Sequence, residues 1–266
     1  MGSTERYRKY ELIETDAVTT PDGRTLKRIR ALVAIAALSV APGDLGGYVE
    51  SEASLSHDGN AWVSGNARVS GNARVSGDAQ VSGNAWVSGD AQVSGNARVY
   101  GDAQVSGDAR VYGDAQVYGN ARVFDIARVF GNAWVSGDTW VFGNARVYGD
   151  AWVYGDAWVY GDAQVSGDAR VYGIARVFGN AQVSGDAWVS PIHIQALRWP
   201  VTICDQVMTI GCQTHALSSW EAFSDKEIAA MDGRDALRFW RSYKDALMGL
   251  ARSAGRSFEP AKEAEQ

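Results

Sequence analysis

Apolar positions recur at every sixth residue through the middle of the chain. Valine occupies each sixth position from Val63 to Val189, and alanine stands two residues before it except at Thr139. Glycine stands two residues after each valine, replaced only at Asp125 and Pro191. A six-residue step rotates about 240° around an α-helix and would scatter the valines over three directions. In a strand, Ala and Val point to one side, so the unit A-x-V-z-G-[ND] predicts a short strand followed by a glycine corner.

Short strands joined by identical corners are expected to coil and stack. Coils about 4.8 Å apart pair every strand with the strands above and below it. Three hexads per coil give a triangular prism lined by Val and Ala, because native packing density leaves little space for larger side chains. Val49 and Leu55 extend the series, with two extra residues at the corner near His57 and Asp58. The pattern therefore predicts 24 strands in eight coils.

The segments on either side of the repeat are predicted to cap its open strand edges, which would otherwise invite polymerisation. A turn at Pro21, Asp22 and Gly23 predicts a hairpin before the repeat, and WPVTICDQVMTIGC predicts another after it. SDKE, residues 224–227, is a capping box that predicts the start of a helix, and an apolar stripe predicts a helix near 234–252. The predicted units are an N-terminal β cap at 1–47, the repeat at 48–190, a hairpin-plus-helix cap at 191–255 and a disordered tail at 256–266.

The predicted C-terminal helix carries an apolar stripe, which we expect to pack on the end of the solenoid. Its members are Leu237, Trp240, Leu247 and Leu250.

The repeat and both flanks resemble known protein groups. The hexads GNARVS, GDAQVS and GDAWVY, over residues 59–190, are similar to those of left-handed parallel β-helix proteins of the hexapeptide-repeat superfamily. The left hand of the coil is implied by this resemblance and runs against the usual crossover preference. RIRAL with GDLGGYVESEASLS resembles the YdcK-type proteins, a group of proposed transferases, and TICDQVMTIGCQTH resembles prophage hexapeptide-repeat proteins. The resemblance implies an all-β solenoid of phage-related origin.

Composition and charge narrow the function classes. The formal net charge of −6 argues against binding duplex nucleic acid, which needs a concentrated basic surface. The N-terminus lacks the apolar core of a signal peptide, and the longest apolar stretch, residues 31–41, is too short to span a bilayer. The two cysteines cannot form a disulfide framework for 266 residues. A cytoplasmic protein that does not insert into membranes is expected.

Many left-handed β-helix proteins are CoA-dependent acyltransferases with a histidine general base, so this activity is the alternative prediction. The histidines here are His57, His193 and His215, all at or beyond the ends of the regular repeat. His57 is the weak catalytic candidate, because Asp58 could orient it, but a solvated corner residue is the simpler interpretation. No cofactor is predicted.

Metal binding is a minor hypothesis at two places. Cys204, Cys212 and His215 have the spacing C-x7-C-x2-H, a poor match to structural zinc patterns, with His193 as the fourth ligand to test. Stacked corner aspartates at 150, 168 and 186 could recruit a cation, although solvated side chains are the preferred interpretation.

The outward x and z positions carry the leading functional hypothesis. Residues 18 apart stack, so each face of the prism displays vertical ladders. The second face, whose strands contain Val69, Val87 and their successors, concentrates aromatic residues flanked by Arg122 and Arg176. The aromatic residues are Phe124, Trp140, Phe142, Trp158, Tyr160 and Phe178. Such a patch predicts a homo-oligomer or protein-partner interface on a non-catalytic scaffold or binding protein.

Overall fold

The computed structural model describes residues 8–184, 192–194, 197–204 and 206–258. Most of this chain is a solenoid of about eight turns built from parallel two-residue strands, as the hexad predicts. Each strand pairs with the strand 18 residues later, as Val63 does with Val81. The predicted strand at Val189 lies outside the described residues. The hand of the coil stays a prediction from the resemblance.

The strands of the solenoid form three sheets, one for each face. The first face contains Trp62–Val63, Gln80–Val81, Arg98–Val99, Gln116–Val117, Trp134–Val135, Trp152–Val153 and Arg170–Val171. The second face contains Leu45–Val49, Arg68–Val69, Trp86–Val87, Gln104–Val105, Arg122–Val123, Trp140–Val141, Trp158–Val159 and Arg176–Val177. The third face contains Arg74–Val75, Gln92–Val93, Arg110–Val111, Arg128–Val129, Arg146–Val147, Gln164–Val165 and Gln182–Val183, and Leu55 adds a bridge to Val75.

The interior and the corners follow from the side-chain chemistry. The repeated Val and Ala side chains are buried in one continuous core, as predicted. The corner glycines of residues 59–179 have φ between 62° and 76°, the left-handed region that glycine reaches without strain. Close stacking also requires glycine there, because a Cβ on Gly131 would lie 3.0 Å from the nitrogen of Gly149.

The N-terminal hairpin continues the second face. Strands Tyr10–Thr19 and Thr25–Ala31 are antiparallel, and the second of them pairs with Leu45–Val49. Short 3₁₀ turns occur at Ala36–Leu38 and Glu52–Ser54. Val49 pairs with Val69, 20 residues later, because the extra residues at His57 and Asp58 lengthen this coil by two.

The C-terminal unit has its own sheet and core. Strands Ile192–Ile194, Val201–Ile203, Val207–Ile210 and Gln213–Ala216 form an antiparallel sheet. Helix α1 spans Leu217–Ala222, and helix α2 spans Asp225–Ser253 with non-helical backbone at Asp232 and Gly233. The predicted capping box is present, since the Ser224 side chain accepts from Glu227 N–H. Among the described residues, no helix has the length and apolar character needed to cross a membrane.

The apolar stripe of α2 differs from the prediction. Trp240 and Leu247 are buried and Leu237 is half-buried, all in the core of the C-terminal unit, whereas Leu250 is exposed. The reason is that the neighbouring sheet offers an apolar face of its own to the helix. Cys204 instead belongs to the solenoid core, so the end of strand Val201–Ile203 meets the solenoid.

The end of α2 is followed by further packed residues. Arg256 is buried, and Phe258 packs against the C-terminal core, although the tail was predicted to begin at residue 256. The remainder of that predicted tail, 259–266, lies outside the described residues.

Candidate functional site

The z positions of the second face form one unbroken ladder of rings. Phe124, Phe142, Tyr160 and Phe178 stack in this order through four consecutive coils. Their ring centroids are separated by 4.9, 4.9 and 5.2 Å, and neighbouring rings lie within 5° of parallel. The spacing follows from the separation of paired parallel strands, so the backbone sets the stacking distance.

The x positions form a second ladder beside the first. The rings of Trp140 and Trp158 are 4.9 Å apart, with an interplanar angle of 5°. The Arg122 guanidinium lies 5.1 Å from the centroid of Trp140, and that of Arg176 lies 3.8 Å from the centroid of Trp158. Both distances suit cation–π attraction. A guanidinium group therefore lies next to the outer ring at each end of the indole pair.

The ring arrangement limits what this face can bind. Interior rings of each ladder have both π faces covered by neighbours, so their edges point away from the sheet. All six aromatic side chains are therefore half-buried. A nucleobase or sugar that requires an open π face finds none on these interior rings, whereas a flat protein surface can pack against the row of edges.

Two corners that border the aromatic patch lack the polar residue that the repeat has elsewhere. Isoleucine replaces the usual Asn or Asp at Ile126 and Ile174, whose exposed fractions are 50% and 79%. Ile126 follows Phe124 by two residues, and Ile174 precedes Arg176 by two, so they lie at opposite edges of the second face. The sequence shows both as exceptions to the hexad, but the hexad pattern by itself does not connect them with the aromatic face.

Aromatic ladders on the other faces are shorter or narrower. On the first face, Trp134 stacks on Trp152 at 4.7 Å, but Ser136 interrupts the neighbouring z column. On the third face, Tyr112, Phe130 and Tyr148 stack at 4.9 Å intervals. This last stack also follows from the sequence, because Tyr112, Phe130 and Tyr148 are 18 residues apart. Among the described solenoid residues, the second face alone has a ladder of four stacked rings with a stacked indole pair beside it.

The corners also form polar ladders that sequence analysis missed. Asn side chains donate to the Asp that lies 18 residues later, in the next coil, as in the 2.8 Å bond from Asn132 Nδ2 to Asp150 Oδ1. Asn144 makes the same contact with Asp162. Asp150 is thus paired with an amide, and Asp186 of the hypothetical cation column lies outside the described residues. An Asn next to an Asp reduces like-charge repulsion at that step of a column, whereas Asp150 and Asp168 follow one another directly.

Comparison with known families matches the solenoid. The YdcK β-solenoid repeat matches residues 61–77, 67–83, 79–93, 91–105, 103–115, 115–125, 141–155, 145–161 and 163–173. The chain is a β-solenoid protein whose repeats match the YdcK β-solenoid repeat over much of residues 61–173. No curated protein sequence matches it.

His57, just before the matched repeats, is held by the N-terminal segment. Its ring stacks on Tyr10 with centroids 4.4 Å apart, and Nδ1 accepts from the backbone N–H of Lys9 at 3.2 Å. Burial lowers the pKa of His57, opposed chiefly by the charge of Glu52. The imidazole is therefore half-buried in a packing contact, and its surroundings differ from the solvated corner that was the simpler interpretation.

Two side chains next to His57 cap backbone carbonyls at the start of the solenoid. Lys9 is buried, and its Nζ donates to the oxygens of Ala61 at 2.7 Å and Gly59 at 3.2 Å. The Tyr10 hydroxyl donates to Leu55 O at 2.8 Å. In later coils such Ala carbonyls accept from the preceding coil, as Ala79 O does from Trp62 N–H. Lys9 and Tyr10 therefore supply donors that a preceding coil would otherwise provide. Burial lowers the pKa of Lys9 to about 8 and raises the pKa of Tyr10.

The hypothetical zinc ligands are not brought together. Cys204 is buried in the solenoid core, and Cys212 is exposed at the turn between the last two strands of the C-terminal sheet. His215 packs edge-on against Trp220 and Phe223, and burial lowers its pKa. The side chain of His193 is not among those that the structure describes. No group of three or more His, Cys, Asp or Glu side chains is placed to hold a metal within the described residues.

Proposed function

We propose that this protein is a non-catalytic β-solenoid scaffold that associates with a second copy of itself through the second face. The observation that carries the proposal is the placement of exposed Ile126 and Ile174 at the edges of the uninterrupted aromatic ladders. Exposed apolar groups at otherwise polar corners widen the apolar surface beyond the rings, and such continuous patches mark interaction sites.

A second copy suits this surface because the two repeats have equal spacing. Ring edges protrude every 4.9 Å along each ladder. Another copy presents edges at the same interval, so contacts can stay in register across all four coils. A surface without that period would match one or two rings and leave the others against water. Symmetric self-association through one shared patch is also the commonest form of protein oligomer.

The remaining parts of the proposal have separate support. Its non-catalytic character is supported by His57, whose ring and Nδ1 are engaged by Tyr10 and Lys9. A cytoplasmic location is supported by Cys204 and Cys212, which form no disulfide with each other. The phage-related origin is supported by the resemblance of the C-terminal segment to prophage proteins.

The molar mass of the full chain in solution tests the proposal. We expect the wild-type protein to be dimeric at micromolar concentration. Ile126→Asn with Ile174→Asn replaces the two exposed corner residues by asparagine, which is common at this position of the repeat. This change should weaken association at least tenfold and leave the fold intact. Trp140→Ala with Trp158→Ala should weaken it further, because ring edges at the centre of the contact are removed.

The first face supplies the matched control. Trp134→Ala with Trp152→Ala removes two stacked indoles of the same kind and should leave the dimer unchanged. A monomeric wild-type protein, or equal loss of association in variants of both faces, would overturn the proposal. Far-UV circular dichroism of each variant separates loss of the interface from loss of the solenoid.

A further inference from the structure

A groove of about 440 Å³ lies along the corner between the second and third faces. Three consecutive coils line it, each with its corner residue and with the x residue of the third face two positions later. The corner residues are Ile126, Asn144 and Asp162, and the x residues are Arg128, Arg146 and Gln164. The groove therefore presents two arginines and one aspartate.

The two arginines of this groove are exposed and lie side by side. Arg128 and Arg146 are directly paired in adjacent parallel strands, and such strands are about 4.8 Å apart. Among the described residues, neither guanidinium has a hydrogen bond or an ion pair. Like charges at directly paired positions repel each other, so an anion held between the two guanidinium groups would stabilise the folded protein.

The repeat places few carboxylates near Arg128. Ile126 stands at the corner where the preceding coil has Asp108, and the corner after Arg128 carries Asn132. Asp162, the aspartate of the groove, lies two coils later, and its Oδ1 already accepts an amide N–H at 2.8 Å. Both corners of the coil that contains Arg128 are therefore uncharged.

The equivalent groove at the corner before the second face has the opposite charge. Its corner residues are Asp102, Asn120 and Asp138, and its x residues are Gln104, Arg122 and Trp140. The single arginine there lies 5.1 Å from the centroid of the Trp140 ring. Two aspartates and one arginine make that groove negative, whereas two arginines and one aspartate make the third-face groove positive. The third-face groove is thus the one suited to an anion.

We infer that the third-face groove binds a small phosphate monoester, with the phosphate between Arg128 and Arg146. A phosphate dianion offers two negative charges and three terminal oxygens to two forked guanidinium donors. A carboxylate monoanion would leave one of the two arginines without compensation. The groove is larger than a phosphate alone, and the side chain of Ile126, 50% exposed, offers an apolar contact to the organic group.

Calorimetric titration of the full chain with phenyl phosphate and with benzoate at low salt tests the inference. The probes share a ring, but only phenyl phosphate is a dianion at about pH 7.5, because the second pKa of a phosphate monoester is about 6. We expect saturable one-to-one binding of phenyl phosphate and binding of benzoate that is at least about tenfold weaker. Arg128→Gln and Arg146→Gln should each weaken phenyl phosphate binding about 10- to 100-fold, the range of a charged hydrogen bond.

Arg74→Gln is the matched control, because it removes the same charge from an exposed x position of the same face, three coils before Arg128. Glutamine already occupies such a position at Gln92, so these variants should fold. Trp140→Ala with Trp158→Ala should bind phenyl phosphate as the wild-type protein does, which separates this site from self-association. Absence of saturable phenyl phosphate binding, equally tight benzoate binding, or equal weakening by Arg74→Gln would overturn the inference.

Discussion

The solenoid and the C-terminal unit solve the same packing problem in different ways. The solenoid fills its interior with Val and Ala repeated at fixed positions, and each coil presents the same sites to the next. The C-terminal unit instead packs large, dissimilar side chains such as Trp220, Phe239 and Trp240. The repeated small side chains form one continuous buried core, whereas the dissimilar rings line a cavity of about 250 Å³. The variable side chains of the solenoid therefore lie on its outer surface.

This contrast implies that the solenoid interior tolerates chemical change least. Val105→Asp should cost more than about 4 kcal/mol of unfolding free energy, because an unpaired charge would enter the dry column. Gln104→Asp, one residue earlier and facing outward, should cost less than about 1 kcal/mol. Urea unfolding followed by circular dichroism compares them. Similar losses for the two variants would contradict the assignment of inward and outward positions.

Corner stacking should be the next most sensitive feature. Gly173→Ala meets no atom of the described residues within 4 Å, so it should cost only the left-handed backbone penalty of about 1–2 kcal/mol. Gly131→Ala has a similar φ but would bring Cβ to 3.0 Å from Gly149 N, adding at least about 1 kcal/mol of overpacking. Thermal unfolding of both variants measures the difference, and equal losses would argue against close coil contact.

The N-terminal end of the solenoid should depend on Lys9. Lys9→Met leaves the carbonyls of Gly59 and Ala61 without this donor and should cost about 1–3 kcal/mol at pH 7. Lys27→Met, which removes an exposed ion pair with Glu14, should cost less than about 1 kcal/mol. Chemical unfolding at pH 7 distinguishes a buried cap from a surface pair, and equal effects would contradict the capping role.

The same lysine predicts a pH dependence. Its pKa is about 8 in the folded protein against an ordinary value of 10.5, so between these values the unfolded chain binds more protons. The contribution of Lys9 to unfolding free energy should therefore rise with pH from 8 upward. The raised pKa of Tyr10 acts in the opposite direction only above pH 10. Unfolding from pH 8 to about 9.5 should show a steeper rise in the wild-type protein than in Lys9→Met.

The smallest effect is expected at the exposed corner ladders. Asn132→Ala removes one exposed hydrogen bond to Asp150 and should cost about 0.5 kcal/mol. Asn132→Asp places two carboxylates together and should cost slightly more at low salt, with the difference disappearing at 1 M salt. Unfolding at two salt concentrations checks this, and a salt-independent loss would argue against electrostatic pairing along the column.

The solenoid could be predicted from the repeat because every hexad has the same inward-facing, outward-facing and corner positions. Val63 to Val183 could be placed inside and the x and z ladders outside, since strand alternation and the period of six leave one solution. Lys9 could not be identified, because its partners Gly59 and Ala61 are distant in sequence and are carbonyl groups that no side-chain pattern reveals.

The candidate sites were predictable to different degrees. The six aromatic residues of the second face follow directly from counting in steps of 18, but the outward direction of their edges needed the ring planes. The cavity needed the interruption of α2 at Asp232 and Gly233. A continuous amphipathic helix from the capping box onward would have closed against the sheet.

The central claim is that the second face, and not the first, makes the contact between copies. Indole N–H resonances of the full chain, recorded during dilution, test it most directly because the two faces carry separate tryptophans. We predict that the signals of Trp140 and Trp158 shift together with a single dissociation constant, whereas those of Trp134 and Trp152 stay in place. Signals that are all independent of concentration, or shifts confined to Trp134 and Trp152, would contradict the claim.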